Sequence, residues 1–183
     1  MAHRPQSSII VRKYRQLLRR ANVFDREKIK PLLEHFLAQY PHYAPALRLR
    51  GLLLNYELSS EANLDTNCSP ESPRVEQMRQ SYEAALKADP DYTLVLIDLG
   101  DYWSMRADYA KAIEYYDHAL RLLRSGHFSD TLDEELTAAY IGSIEALIKM
   151  GDLANAQVCQ EQAIADCVEK EYFRNLEIPS CLS

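Results

Sequence analysis

Apolar residues recur at helical spacing along most of the chain, in runs separated by short polar or proline-containing junctions. Between Ser8 and Ala21 they fall at Ile10, Tyr14 and Leu17, and a second run follows over residues 26–40. Side chains three or four residues apart share one face of an α-helix, so each run predicts an amphipathic helix. Further runs of this kind reach residue 168, and the sequence therefore predicts an all-α chain.

The junctions between these runs carry their own signals. Residues 82–103, YEAALKADPDYTLVLIDLGDYW, contain the end of one predicted helix and the start of another. Pro90 lacks an amide donor and disfavours helical geometry in the preceding residue, which predicts a helix end at Ala88 or Asp89. Asp89 and Asp91 are candidate caps for the incoming helix.

This junction occurs twice. Leu37–Gly51 and Leu86–Gly100 each contain a leucine, a Pro-x-Tyr and an apolar run that reaches glycine, and the two glycines are 49 residues apart. Between them Ser59–Pro73, 15 residues long, has no helical apolar period, and its removal leaves a period of 34. We predict that this segment is a surface insertion.

Residues 93–126 resemble the tetratricopeptide repeat, a helix–turn–helix unit of 34 residues. The family pattern W-x2-L-G-x2-Y, then A-x3-F, corresponds here to Leu96, Leu99, Gly100, Trp103, Ala112 and Tyr116. The preceding unit matches through Gly51 and Tyr82 and departs from the pattern at Arg50 and Met78. We expect the glycines to admit a bulky residue of the paired helix, since Gly inside a helix costs about 1 kcal/mol relative to Ala.

A further unit follows at an offset of 44 residues, with Ala156 and Ala163 in the places of Ala112 and Ala119. Its turn, KMGDLANA, resembles the Gly-Asp turn of the family. Gln160 stands in the place of the aromatic residue and Ile144 in that of the small one. The extra ten residues predict an extended loop at Ser125–Glu134.

The resemblance implies an all-α, right-handed superhelix of antiparallel helix pairs, forming one domain over residues 1–183 with about four repeats and two insertions. The predicted units are 8–43, 44–92 with the insertion 59–73, 93–126 and 135–168, followed by a C-terminal helix or tail at 169–183.

Charge is distributed unevenly along the chain. The net charge is −6, but residues 1–30 carry +7 and residues 31–183 carry −13. The basic residues of the first segment either form a solvated helix face or bind RNA, an anionic lipid or an acidic protein.

The sequence contains none of the common catalytic or metal-binding motifs. The four cysteines form no Cys-x-x-Cys pair and the five histidines lack zinc-ligand spacing, so we expect reduced thiols, no metal site and no cofactor. Nucleophile-elbow, phosphate-loop and His-Glu-x-x-His motifs are absent, so the chain is predicted not to be an enzyme. The sequence has no secretory signal and no apolar run of about 18 residues, from which we expect a cytoplasmic protein without a membrane span.

The resemblance implies a protein-binding adaptor or scaffold whose first helices line a concave groove. The candidate groove residues are Arg48, Leu52, Asn55, Tyr56, Ile97, Asp101, Ser104, Met105, Ile141, Glu145, Ile148 and Lys149. Because the chain beyond residue 30 is acidic, the expected partner is a protein or peptide with one or two Lys/Arg beside apolar residues. Leu52 and Asp101 stand where the subclass that binds chaperone tails has asparagines, which argues against that ligand.

Two alternatives remain open. Residues 12–30 could bind RNA or an anionic surface, although nucleic acid is the less favoured partner. The chain could instead form a homo-oligomer through its C-terminal end, where Tyr172, Phe173, Leu176 and Ile178 are apolar.

Overall fold

The computed structural model describes residues 8–20, 26–62, 72–126, 131–168 and 170–179, and over these ranges the protein is all-α, without a β-strand. The helices are α1 (Ser8–Arg20), α2 (Arg26–Gln39), α3 (Ala44–Ala62), α4 (Pro73–Ala88), α5 (Thr93–Met105), α6 (Tyr109–Arg124), α7 (Leu132–Met150), α8 (Leu153–Asp166) and α9 (Lys170–Arg174). Neighbouring helices pack in pairs, which confirms the predicted fold class. The chain divides into two compact units, unit 1 (Met1–Pro90) and unit 2 (Asp91–Ser183). The single domain over 1–183 stays a prediction.

In unit 1, aromatic rings join the first three helices. The centroids of Tyr14, Phe36 and Tyr43 lie 5.0 to 5.6 Å apart in tilted and edge-to-face arrangements. The hydroxyl of Tyr14 donates a 3.1 Å hydrogen bond to the carbonyl of Pro45 at the start of α3. The apolar faces predicted for α1 and α2 therefore form the core of this region.

The pair α3–α4 forms around a glycine. A Cβ placed on Gly51 would lie within 3.0 Å of three atoms of the Tyr82 ring, and Tyr82 is buried. The equivalent contact in unit 2 is between Gly100 and Tyr116. Both contacts confirm that these helical glycines admit a bulky residue of the paired helix.

In unit 2, Tyr116 contacts a second glycine as well. A Cβ on Gly142 of α7 would also lie within 3.0 Å of three atoms of the Tyr116 phenol. One buried ring on α6 thus packs against α5 of its own pair and against α7 of the next. The predicted alanine positions on α6 and α8 are also fully buried.

The turns of unit 2 confirm the offset of 44 residues. Asp108 and Asp152 are the N-caps of α6 and α8, and each accepts a 3.3 Å hydrogen bond from the backbone amide three residues later. Both preceding turns have left-handed backbone, with φ of +79° at Gly151 and +58° at Ala107. Gly151 adopts this backbone conformation without strain, whereas at Ala107 the Cβ atom comes too close to the backbone and makes the conformation unfavourable.

Three local predictions need correction. α3 continues to Ala62, four residues into the segment predicted to be non-helical, because Glu and Ala are good helix formers. α7 begins at Leu132, so Leu132–Glu134 belong to its first turn, where acidic residues favour the positive helix end. α4 ends at Ala88 as predicted, but the N-cap of α5 is Tyr92, which makes no side-chain capping bond. The predicted insertion Ser59–Pro73 is also too long at its other end, because Ser72 is the N-cap of α4 and Pro73, whose missing amide suits a first helical turn, begins that helix. Of the two predicted insertions, residues 63–71 and 127–130 lie outside the described residues.

The fourth repeat exchanges a large and a small residue. Ile144 is fully buried where α5 has Gly100, and Gln160 takes the position of Tyr116. The Gln160 amide donates hydrogen bonds to the carbonyls of Phe173, at 2.5 Å, and Leu176, at 2.8 Å. The C-terminal segment thereby folds back, with Phe173 fully buried against the Tyr140 ring at a centroid distance of 6.3 Å.

Candidate partner-binding surfaces

The candidate groove residues of unit 1 lie on one helix. Arg48, Leu52 and Asn55 are partly buried on α3, and Tyr56 is 51% exposed. Arg48, Asn55 and Tyr56 already interact with other groups of the chain. Their side chains are therefore partly engaged within the fold.

The eight candidates of unit 2 lie on α5 and α7, two helices that contact each other. Asp101, Met105, Glu145 and Lys149 are exposed, whereas Ile97 is buried and offers little surface to a partner. The partly buried candidates on these helices are Ser104, Ile141 and Ile148.

Asp101 and Glu145 form the electrostatic centre of this surface. The hydroxyl of Tyr116 donates a 2.6 Å hydrogen bond to Oδ1 of Asp101. Asp101 as a residue is exposed, but its carboxylate lies against the protein. The pKa of this carboxyl is raised above its usual value, mainly by burial and further by the charge of Glu145, whereas the hydrogen bond from Tyr116 acts in the opposite direction. The site therefore holds two carboxylates close enough to repel each other.

The Tyr116 hydroxyl is a fixed donor. Burial, the charge and hydrogen bond of Asp101 and the charge of Glu145 all raise its pKa, so it remains protonated. Sequence reasoning assigned Tyr116 to the core and missed its hydroxyl. The available signal was Tyr in a position where the family pattern has Phe.

The two units differ in charge. Unit 2 has 17 acidic and 7 basic residues, a net charge of −10, whereas unit 1 has 10 acidic and 14 basic residues, a net charge of +4. A surface within unit 2 lies in a field that favours cations, and one within unit 1 in a field that favours anions.

Unit 1 also contains a cleft that the sequence did not predict. Its walls are α2 and α4 and its floor is α3, and it consists of two cavities of about 380 and 600 Å³ that are both lined by Glu34 and Arg50. The only sequence signal was the departure of Arg50 from the repeat pattern. We name this feature the Arg50 cleft.

Among the described residues, no group of three or more His, Cys, Asp or Glu side chains could hold a metal ion. Nor does any described helix have the length and apolarity needed to cross a bilayer.

No protein-family model matches the sequence, and no curated protein matches it. Among solved structures, the chain is similar to the crystal structure of PilW, a widely conserved type IV pilus biogenesis factor, with a TM-score of 0.61 and 17% sequence identity. The match covers 87% of this chain and 63% of the PilW chain, so this chain spans less than two thirds of its neighbour. At this identity the likeness supports a helical-repeat fold similar to the tetratricopeptide class. Membership of the tetratricopeptide family stays a prediction.

Proposed function

We propose that the protein is a non-catalytic, cytoplasmic adaptor or scaffold, and that unit 2 binds a protein segment carrying Lys or Arg beside apolar residues. The observation that supports this most directly is the pairing of Asp101 and Glu145 on α5 and α7, where the charge of Glu145 raises the pKa of Asp101. A cationic side chain between them would offset their repulsion. Ionisable groups whose pKa is shifted by burial and by a neighbouring charge occur preferentially at functional sites.

Apolar side chains flank the carboxylates at helical spacing. Met105, which is 62% exposed, lies one turn after Asp101 on α5, and Ile141 and Ile148 lie one turn on either side of Glu145 on α7. Exposed ion pairs contribute only about 0.2–1 kcal/mol each, so these apolar contacts would supply most of the affinity. The carboxylates would set the orientation and the association rate.

The fold class and its solved neighbour are compatible with this role. Helical-repeat proteins bind partners along extended surfaces. PilW is described as a biogenesis factor, which is compatible with an adaptor role, although neither its partners nor its cellular location is transferred to this chain.

The test uses peptides selected from a random phage-displayed library on the full-length chain. Asp101→Asn with Glu145→Lys should weaken the binding of basic, apolar peptides at least several-fold, measured by fluorescence anisotropy. Asparagine retains an acceptor for the Tyr116 hydroxyl, so helicity should be unchanged. The control, Glu114→Gln with Glu161→Lys, makes the same charge change at exposed positions on α6 and α8. Equal binding by both variants would refute the proposed site.

The basic N-terminal segment supplies a second candidate surface. Arg12, Arg15 and Arg19 are exposed on α1, whereas Lys13 donates a 2.7 Å hydrogen bond to the hydroxyl of Tyr40. If this segment binds RNA or anionic lipid, affinity should fall steeply with salt. Arg12→Gln with Arg19→Gln should then abolish binding to an RNA oligomer or to vesicles containing phosphatidylserine, while the unit 2 variant should retain it.

A further inference from the structure

The Arg50 cleft runs along the surface of unit 1 between α2 and α4. Leu33, Leu53 and Leu54 line one cavity, and Leu37, Leu47 and Ala84 line the other. At one end a 2.9 Å ion pair between Lys30 of α2 and Glu57 of α3 neutralises two lining charges. The cleft is thus largely apolar away from its shared centre, and each cavity is large enough for side chains of a bound peptide.

Arg50 is an unusual residue at the bottom of this cleft. The equivalent position one repeat later is Leu99, which is fully buried. The Nε of Arg50 donates a 3.0 Å hydrogen bond to the hydroxyl of Ser81, and that buried hydroxyl donates a 2.8 Å hydrogen bond to the carbonyl of Gln77. The guanidinium is therefore held in place by a neutral partner.

The remaining donors of Arg50 are available. Within the described parts of the chain, Ser81 is the only hydrogen-bond partner of Arg50, and no carboxylate pairs with it. Its two terminal nitrogens carry four N–H donors in the fork geometry that matches a carboxylate. Lys87, exposed on α4, adds a second cation to the lining of the larger cavity, and no carboxylate in the described ranges pairs with it.

We propose that the Arg50 cleft binds an acidic segment of a partner protein, with a carboxylate paired to Arg50 and neighbouring apolar side chains against the cleft leucines. Charge complementarity selects this occupant. Two lining cations that have no ion pair among the described residues, Arg50 and Lys87, stand against one exposed carboxylate, Glu34, in a unit of net charge +4. The negative charge of Glu34 repels anions and therefore weakens the binding of a partner carboxylate in the cleft. This site lies in unit 1 and is independent of the proposed function of unit 2.

The substitution Arg50→Leu restores the residue type of the equivalent repeat position and gives a sharp test. If Arg50 served the fold alone, leucine would replace it without a functional effect. We expect the full-length Arg50→Leu chain to fold with an unchanged circular dichroism spectrum and a urea midpoint no lower than that of the unchanged chain. The Ser81 hydroxyl retains its bond to the Gln77 carbonyl in this variant.

Selection from the random phage-displayed library provides the readout. The unchanged chain should enrich peptides that combine Asp or Glu with Leu, Ile or Phe. Their affinity should fall at least about tenfold in Arg50→Leu, because the paired guanidinium supplies two charge-assisted hydrogen bonds. It should rise in Glu34→Gln, and it should be unchanged in Arg121→Leu, which removes one positive charge from an exposed position on α6 of unit 2. The Asp101→Asn, Glu145→Lys chain should retain these acidic peptides, which separates this test from that of unit 2.

Three results would overturn the proposal. The first is a library that yields no acidic peptides on the unchanged chain. The second is equal affinity of acidic peptides for the Arg50→Leu and Arg121→Leu variants. The third is Arg50-dependent binding of inorganic phosphate without binding of acidic peptides, since that would show a site for a small anion instead. If Arg50→Leu fails to fold, Arg50→Gln, which can still hydrogen-bond Ser81, decides the same question.

Discussion

The hydroxyl of Tyr116 donates a 2.6 Å hydrogen bond to Asp101, so a fully buried ring of unit 2 is connected directly to a carboxylate of its candidate binding surface. The same residue that holds the helix pairs together also orients a candidate binding group. Changes at Asp101 should therefore be visible in the stability of unit 2 as well as in its binding.

Asp101→Asn should increase stability at neutral pH. The pKa of Asp101 is raised above 3.8 in the folded chain, mainly by burial, so the folded state holds the proton more tightly than the unfolded state. The contribution of Asp101 to stability is then greatest below about pH 3.8 and is lost as pH rises through the folded pKa. The neutral amide avoids this loss and still accepts the Tyr116 hydrogen bond.

Urea unfolding at about pH 7 and about pH 3 tests this linkage. The variant should unfold at higher urea at neutral pH, and the difference should vanish at acidic pH. A lower midpoint for the variant at neutral pH would show that the charged hydrogen bond from Tyr116 outweighs the burial of the carboxylate.

Gly142→Ala should destabilise the protein, although alanine is the better helix former by about 1 kcal/mol. The new Cβ would meet the Tyr116 phenol, and overpacking typically costs about 1–3 kcal/mol. Gly100→Ala should behave in the same way, since it meets the same ring. Urea unfolding of each alanine variant with and without Tyr116→Leu measures the coupling. Additive effects would show that the ring is not what requires glycine.

Ala107→Gly should stabilise unit 2, because Ala107 has a φ of +58°. Glycine avoids the penalty for left-handed backbone, about 1–2 kcal/mol, but it loses more conformational entropy on folding than alanine does. The free energy of unfolding should therefore increase by about 0.5–1 kcal/mol. The reciprocal change at the equivalent turn, Gly151→Ala, should cost about 1 kcal/mol. Thermal unfolding of both variants provides the comparison, and shifts of the same sign would contradict the equivalence of the two turns.

Gln160→Met should release the C-terminal segment. Methionine keeps the length of the side chain but removes both hydrogen bonds to the carbonyls of Phe173 and Leu176, a loss of about 1–3 kcal/mol at typical net values. Limited proteolysis should then cut faster within residues 170–179. If light scattering also detects dimers in this variant alone, exposed Phe173 would account for the self-association that the apolar C-terminus suggested. Unchanged proteolysis would show that burial of Phe173 is sufficient to hold the segment.

The repeats could be predicted from sequence because their signals are local. Pro90 ends its helix through its own covalent geometry, and Gly100 marks a contact within one helix pair. The role of Gly142 was not predicted because its contact with Tyr116 lies between two helix pairs, whereas the repeat pattern describes contacts within one helix pair. Capping by Asp89 or Asp91 was wrong because the tight turn makes Tyr92 the last residue before α5.

The candidate sites were less accessible to sequence reasoning. Helical spacing placed Asp101 and Glu145 on neighbouring first helices, but it also placed Ile97 on the surface, where the structure shows it buried. The Arg50 cleft depends on the space between α2 and α4, a property of helix packing that no residue pattern in either helix encodes.

The position of Tyr116 between Gly100 and Gly142 has a consequence for unfolding. Repeat arrays commonly unfold by separate local steps, since each unit contacts only its neighbours. Here one ring completes the core of both helix pairs of unit 2, so opening either pair exposes the same aromatic surface. Hydrogen exchange should accordingly show α5, α6 and α7 opening as a single cooperative unit. Asp101 on α5 and Glu145 on α7 would then keep the same relative position whenever their surface is folded.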